Sequence, residues 1–346
     1  MLSASEAVKT GIIAEKYGFD SLWLGDHFVD IGGPGTCDPF SVLAVLACKT
    51  RRIALCTGVT DVLRSHPARI AHCMATIKEL SHGRVGLGVG SGEAMNIVPF
   101  GIQWDKDPKE RIQRLREAIE VIRLLWRSSR RRNANYQGKY YQLRHAWLAK
   151  NPTQKPYIPI YIGAFSSSRM LELIGEIGDG WFSWLVTPET YKNRRETIEK
   201  AAEISGRRTE CIDNVATLYS CLMEDERTEK QVMGLMKEAI LTLDYYGLRN
   251  LGFKLPLLKS DEYQHVVVSK GRSPAFTHIA RQIPEKIVRK YVAIGSIEQC
   301  MKSIENLLRV GARHVAIVDV DQPRHDVSLK IYGEKIIPYF KEECKN

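Results

Sequence analysis

Absences do much of the early sorting. The 346 residues include eight cysteines, at 37, 48, 56, 73, 211, 221, 300 and 344, and no two of them form a C-x-x-C pair. That scatter argues against a zinc site and against a disulfide framework, and it suits a reducing compartment, so a cytoplasmic protein is expected. No apolar run is long enough to cross a bilayer, and the first residues carry no signal-peptide pattern, so neither an anchor nor a leader is expected. The P-loop, H-E-x-x-H and G-x-S-x-G signatures are all missing. His66, His72 and His82 are too loosely arranged to argue for a metal, and none is expected. The dinucleotide fingerprint G-x-G-x-x-G fails too. After Gly86 and Gly88 its last position holds Ser91, and after Gly88 and Gly90 it holds Glu93.

What is present is a large apolar share (44%) and an excess of cations, 50 Lys and Arg against 40 Asp and Glu. The first allows a sizeable core in one or two domains. The net charge of +10 invites an anionic partner, either nucleic acid or a small polyanionic cofactor or substrate. Apolar runs at 21–25, 53–59, 85–90, 158–163, 180–184, 215–223 and 314–318 read as strands. Helical periodicity at 1–20, 38–50, 66–81, 107–127, 188–204, 228–246, 297–310 and 326–342 alternates with them, and a further helix runs to Gly178. After residue 127 a polar loop is expected. Strand and helix in alternation imply parallel pairing with right-handed crossovers, and strands apolar throughout imply a sheet covered on both faces. Seven strands leave an eight-stranded barrel one short, with the vacancy ahead of the first helix, where two strand edges would be exposed. The stretch 247–285 breaks the rhythm with Gly247, Gly252, Pro256, Gly271, Pro274 and Pro284, and reads as an insertion or lid on one domain spanning 1–346.

The stretch Arg84–Asn96 organises the rest. Val85, Leu87 and Val89 form a buried strand, Gly86, Gly88, Gly90 and Gly92 permit positive φ or the close approach of a flat ligand, and Glu93 stands at the strand's carboxyl end. Parallel α/β enzymes place their chemistry there. Asp26 and His27 end another strand. An imidazole can give or take a proton near neutral pH, and Asp26 can fix its tautomer, although a loop-capping acid beside a surface histidine fits the same pattern. Thr57-Gly58-Val59-Thr60-Asp61 ends a third strand and suits either a backbone ledge under a ring or an ordinary junction. Gly163-Ala164-Phe165-Ser166-Ser167-Ser168-Arg169 leads from strand to helix. Free amides and hydroxyls there make a phosphate seat, or simply a serine cap. The basic run Arg127–Arg132 has no interleaved aromatics and follows a helix end, so a solvated loop is the favoured reading over a nucleic-acid contact.

Three segments together, Ala14–His27, Gly90-Ser91-Gly92-Glu93-Ala94-Met95-Asn96 and Ile158–Gly163, resemble the luciferase-like superfamily. The G-x-G-E-A-x-N form is similar to its coenzyme F420-dependent branch. That branch includes methylenetetrahydromethanopterin reductase, phthiodiolone ketoreductase and the F420-dependent alcohol and glucose-6-phosphate dehydrogenases. The resemblance implies a TIM (β/α)8 barrel of the bacterial-luciferase type, its first strand missing or trimmed. It also implies hydride transfer between deazaflavin C5 and a substrate carbon, with Asp26, His27 and Glu93 at the ring. Gly58-Val59 would be a cis peptide behind the ring, Ser91 and Gly92 would line its edge, and Gly163, Ala164, Phe165, Ser166 and Ser167 would take the tail or its phosphate. Two departures stand out. Asp30 and Ile31 occupy the region where the alcohol and sugar-phosphate enzymes carry a tryptophan. Leu185-Val186-Thr187-Pro188 replaces a sugar-phosphate lysine, which speaks against a phosphosugar. An FMN-dependent monooxygenase and a non-catalytic barrel binding RNA or a protein are the alternatives. A small-molecule substrate is expected, with neither nucleic acid nor membrane as partner, and a homodimer is left open.

Overall fold

A polar residue followed by proline starts several of the helices, and the reason is local. Asp38, His66 and Asp107 each accept a backbone N–H of the first turn, and Pro39, Pro67 and Pro108 fill the position where the missing N–H costs nothing. The computed structural model describes residues 3–29, 37–152, 157–222, 226–254, 274–320 and 324–343. The chain divides into two compact units, Met1–Gly163 and Ala164–Asn346. Among the described residues no helix is long and apolar enough to cross a membrane.

In the first unit, β1 (Ser21–Leu24), β2 (Ala54–Thr57), β4 (Val85–Gly90) and β7 (Ile160–Ala164) run parallel in that spatial order, and the two-residue β3 (Thr60–Asp61) pairs with the end of β4. Trp23 sits opposite Cys56, Leu55 opposite Val85 and Gly88 opposite Tyr161. Strand β4 is buried along its whole length, which its glycines make possible. A Cβ on Gly88 would stand 2.0 Å from the Thr57 carbonyl oxygen, and one on Gly86 would stand 2.8 Å from Cys56 Sγ. Neither residue has positive φ; of the four glycines in this stretch only Gly92 does, at +87°. Three of the four therefore serve close strand packing, and conformational freedom is needed at one. Helices α1 (Ala4–Lys16), α2 (Pro39–Lys49), α3 (Pro67–Leu80) and α5 (Pro108–Trp126) alternate with the strands. They bury Val42, Leu43 and Leu46, then Ile70, Met74 and Ile77, then Leu115, Ile119 and Ile122.

The polar loop expected after residue 127 is instead an antiparallel hairpin, β5 (Ala134–Gln137) with β6 (Gln142–Ala146). Its strands are short and mostly exposed, so no apolar alternation marks them. The buried Glu117 of α5 holds the turn by accepting the N–H groups of Lys139 at 3.0 Å and Tyr140 at 2.8 Å. Arg130, Arg131 and Arg132 lie exposed in the tight turn before it, where Ser129 and Arg132 exchange backbone hydrogen bonds. That is the solvated arrangement.

In the second unit, β9 (Asp213–Leu222) pairs in parallel with β8 (Gly180–Ser183), β10 (Val292–Gly295) and β11 (His314–Asp319). Strand β10 is an addition to the seven expected. It follows a helix, Glu285–Tyr291, with no linker, so its short apolar run merges into helical periodicity in the sequence. The 247–285 stretch is described only in part. Its end forms the helix Pro274–Arg281, whose Phe276 and Ile279 join a core of Met233, Met236, Ile240 and Tyr291, while 255–273 lie outside the described residues. The closing helix is interrupted by a wide turn at Tyr332–Ile336.

Candidate active site

Strands β1 and β4 of the first unit deliver polar residues past their carboxyl ends, β3 carries its own, and those residues meet. Asp26 and His27 follow β1, Thr60 and Asp61 form β3, and Glu93 follows β4 at the start of the short helix α4 (Ala94–Ile97). His27 Nδ1 lies 3.5 Å from Glu93 Oε2. Two of the three strand ends singled out in the sequence thus bring their imidazole and carboxylate together, over a separation of 66 residues.

Asn96, part of the motif but given no role from the sequence, links them. Its Nδ2 lies 3.0 Å from His27 Nδ1 and donates to Glu93 Oε2 at 3.1 Å, and its Oδ1 accepts the Phe28 N–H at 2.9 Å. The spacing of three from Glu93, one helical turn on, was the signal available for it. Arg64 was missed altogether. It donates from Nη1 to Asp26 Oδ1 at 3.0 Å, from Nη2 to the Asp26 carbonyl at 2.8 Å, and from Nε to Asp61 Oδ2. Thr60 donates its hydroxyl to Asp26 Oδ2 at 2.6 Å. Asp26 is thereby committed on both oxygens, and the guanidinium stacks 4.7 Å from the Phe28 ring centroid. A single cation set between two acids leaves the trio one negative charge, and nothing in the sequence spacing announces it.

Burial sets the proton affinities. It pushes the Glu93 carboxyl above the ordinary range, against the pull of His27, and it pushes the His27 imidazole down, against the pull of Glu93. Burial also raises Asp26, opposed by Arg64 and the Thr60 hydroxyl. Glu93 nevertheless keeps 37% of its side-chain surface open and His27 15%. His27 Nε2 and Glu93 Oε1 take no hydrogen bond among the described residues.

The other expected residues fall as follows. The Gly58–Val59 peptide is cis. Val59 packs against glycines, since a Cβ on Gly88, Gly90 or Gly163 would come within 2.9, 3.2 or 2.8 Å of its methyl groups. Ser91 and Gly92 form the turn between β4 and Glu93, with Leu63 and Trp104 beside Gly92. Gly163 closes the first unit, and Ala164, at the start of the second, is buried with its carbonyl accepting the Trp181 Nε1–H at 3.0 Å. Phe165 and Ser166 are half-buried, and Ser167 caps helix α6 (Ser168–Ile177) without using its side chain. Asp30 and Ile31 lie outside the described residues. No group of three or more His, Cys, Asp or Glu suited to a metal occurs among the described residues.

Residues 2–314 match the family of luciferase-like monooxygenases. An F420-dependent glucose-6-phosphate dehydrogenase of Microbacterium testaceum is 30% identical over 98% of this chain and 94% of its own length. The 5,10-methylenetetrahydromethanopterin reductase of Archaeoglobus fulgidus is 28% identical over 95% and 94%. The solved coenzyme F420-dependent tetrahydromethanopterin reductase of Methanopyrus kandleri superposes with a TM-score of 0.80 at 22% identity, covering 98% of this chain and 96% of that one. This last likeness establishes the fold, the TIM barrel of the luciferase type expected from the sequence. With nearly the whole chain inside the matched region, the protein belongs to the luciferase-like family.

Proposed function

We propose that this chain is an F420-dependent oxidoreductase acting on a CH–OH or CH–NH group of a small molecule. The observation that carries the reading is the meeting of His27 and Glu93, with one polar atom of each left unpaired by the described residues. The surroundings fit a flat ring. The glycine bed under Val59 lets the backbone at 58–59 lie close against β4, and Gly92 turns the chain where a Cβ would meet Leu63 at 2.8 Å. Asp26, Gly58, Val59, Ser91 and Gly92 would hold that ring. Gly163 to Ser167 are our proposal for an anionic tail, which the net charge of +10 also suits.

When bound, F420 supplies two-electron chemistry at its C5, giving or taking one hydride at a substrate carbon. The protein's own part is to place the substrate and manage one proton. Hydride arriving at a C=O or C=N carbon leaves charge on the heteroatom, and a donor there lowers the barrier, by about 10²–10⁴-fold in comparable cases. The Glu93 carboxyl, its affinity raised by burial, is suited to hold such a proton.

Three exposed apolar side chains beside the site bear on the substrate. Phe28 (53% exposed), Val98 (47%) and Phe100 (48%) follow His27 and Glu93 in the chain, and the Phe28 and Phe100 rings meet edge to face at 4.9 Å. Leu185, in the segment that replaces the sugar-phosphate lysine, is fully buried. The exposed ring pair favours a substrate with an apolar body over a phosphosugar, although several relatives are named for glucose 6-phosphate.

The family's description as luciferase-like monooxygenases keeps the FMN-dependent monooxygenase raised by the sequence as the second reading. Titrating purified protein with F420 and with FMN separates the two. Micromolar quenching by F420 with none by FMN is the expected result, and the reverse pattern overturns the proposal. Reoxidation of reduced F420 by ketones, by phosphosugars or by methylene-pterins then sorts the substrates.

A further inference from the structure

We infer that Asn96 is a positioning residue that fixes the tautomer of His27, keeping Nδ1 free of a proton so that the neutral ring carries its hydrogen on Nε2. The oxygen and nitrogen of an amide have nearly the same shape, and only their partners distinguish them. Here one partner is unambiguous. The Phe28 backbone N–H, 2.9 Å away, can only donate, so the atom it faces is Oδ1. The Asn96 amide nitrogen therefore faces the other way, and its two hydrogens meet His27 Nδ1 at 3.0 Å and Glu93 Oε2 at 3.1 Å. A donor aimed at Nδ1 requires a lone pair there.

The alternatives each break something. A proton on Nδ1 would collide with the Asn96 N–H. Turning the amide to accept that proton would set its nitrogen against the Phe28 N–H. Passing the proton directly to Glu93 is disfavoured, because Nδ1 and Oε2 stand 3.5 Å apart, beyond a good hydrogen bond. The charges around the ring do not override this. Glu93 and Asp61 favour a protonated ring, while Arg64 and burial oppose it, and Asp26 spends its oxygens on Arg64 and Thr60.

This has a consequence for the proposed oxidoreductase, and that step rests on the reading above; the tautomer itself does not. With Nδ1 occupied by the Asn96 N–H and Nε2 already protonated, neutral His27 can donate a hydrogen bond from Nε2 but is poorly placed to take up a proton and has none to give as an acid. Removing a proton from a substrate hydroxyl or amine then falls to Glu93.

The test needs no cofactor. Protein labelled with ¹⁵N-histidine is followed by long-range proton–nitrogen correlation across neutral pH, and the His27 signals are those lost in His27→Asn. The wild-type ring is expected to show a protonated Nε2 and a bare Nδ1; a protonated Nδ1 overturns the inference, with no variant required. Asn96→Asp keeps an acceptor for Phe28 and puts a second oxygen where the amide nitrogen stood. Its His27 is expected to gain a proton on Nδ1 and to titrate about 1–3 units higher. An unchanged nitrogen pattern in Asn96→Asp also overturns the inference. Failure to bind F420 would sink the functional reading and leave the tautomer result standing.

Discussion

The two units each contain histidine–carboxylate pairs, and they are built in opposite ways. In the second unit His314 Nδ1 lies 3.0 Å from Asp213 Oδ2, and His325 Nδ1 lies 2.8 Å from Asp319 Oδ2. A carboxylate can only accept, so in both pairs Nδ1 is the donor. In the first unit His27 and Glu93 stand 3.5 Å apart with the Asn96 amide bonded to both, and Nδ1 is the acceptor. The same residue types therefore put the proton on different nitrogens. A histidine beside an acid is not by itself a mark of chemistry. Groups held by third parties and left with unspent valences are a better mark.

The largest effect expected from that contrast is on turnover. Glu93→Gln and His27→Asn should each lower kcat by about 10²–10⁴-fold while F420 binding changes far less. His314→Asn should leave kcat within about twofold, because His314 and Asp213 begin their strands and lie at the end of the sheet opposite to where such folds place chemistry. Stopped-flow reoxidation of reduced F420 reads both. If Glu93→Gln and His27→Asn keep full turnover with the physiological substrate, the assigned roles are wrong.

Next in size is a stability effect, and here the units should agree. Arg64 is buried between Asp26 and Asp61, and in the second unit Arg194 is buried against Asp244, which also accepts the Tyr291 hydroxyl at 2.9 Å. Removing one partner of a buried pair strands the other charge and costs about 3–5 kcal/mol. Arg64→Gln and Arg194→Gln should each shift the urea midpoint accordingly. Arg64→Gln alone should also slow turnover, since it frees the Asp26–Phe28 segment that carries His27.

How far the sequence carried these sites follows from their kind. Strand ends were legible because apolar runs and glycine turns are local, so Asp26, His27 and Glu93 could be placed at strand ends before any coordinates. Arg64 was not legible. It reaches back 38 residues to Asp26, and its neighbours Leu63 and Ser65 give no periodic cue. The hairpin at 134–146 was hidden for a related reason: what stabilises its turn is Glu117, which reads in sequence as one more charge on a polar helix face. Strand β10 was lost because its apolar residues continue the helix before them.

A smaller effect separates Glu93 by pH. Its folded affinity is raised, so the stability tied to its neutral form is fully present below the unfolded value, near about pH 4.3, and is lost as pH rises through the folded one. His27 is lowered, so its contribution is present above about pH 6.5 and is lost as pH falls through the folded value. Glu93→Gln cannot ionise. Its melting temperature should therefore gain on wild type as pH rises above about 4 and through the raised folded value. A constant offset across that range would show that Glu93 ionises as freely folded as unfolded.

The smallest effect is at His314, and it bears most directly on the contrast between the units. Its side chain is 24% exposed and that of Asp213 is 40% exposed, so water can replace either partner when the other is removed. Exposed ion pairs are worth about 0–1 kcal/mol, and asparagine still offers Asp213 a donor. His314→Asn should therefore lower the urea midpoint only slightly, whereas Asn96→Ala, which removes a single uncharged amide, should reduce turnover well beyond its cost in stability. If the two variants lose stability and turnover in the same proportion, the interposed amide does no more than the direct pair, and the distinction between the units falls.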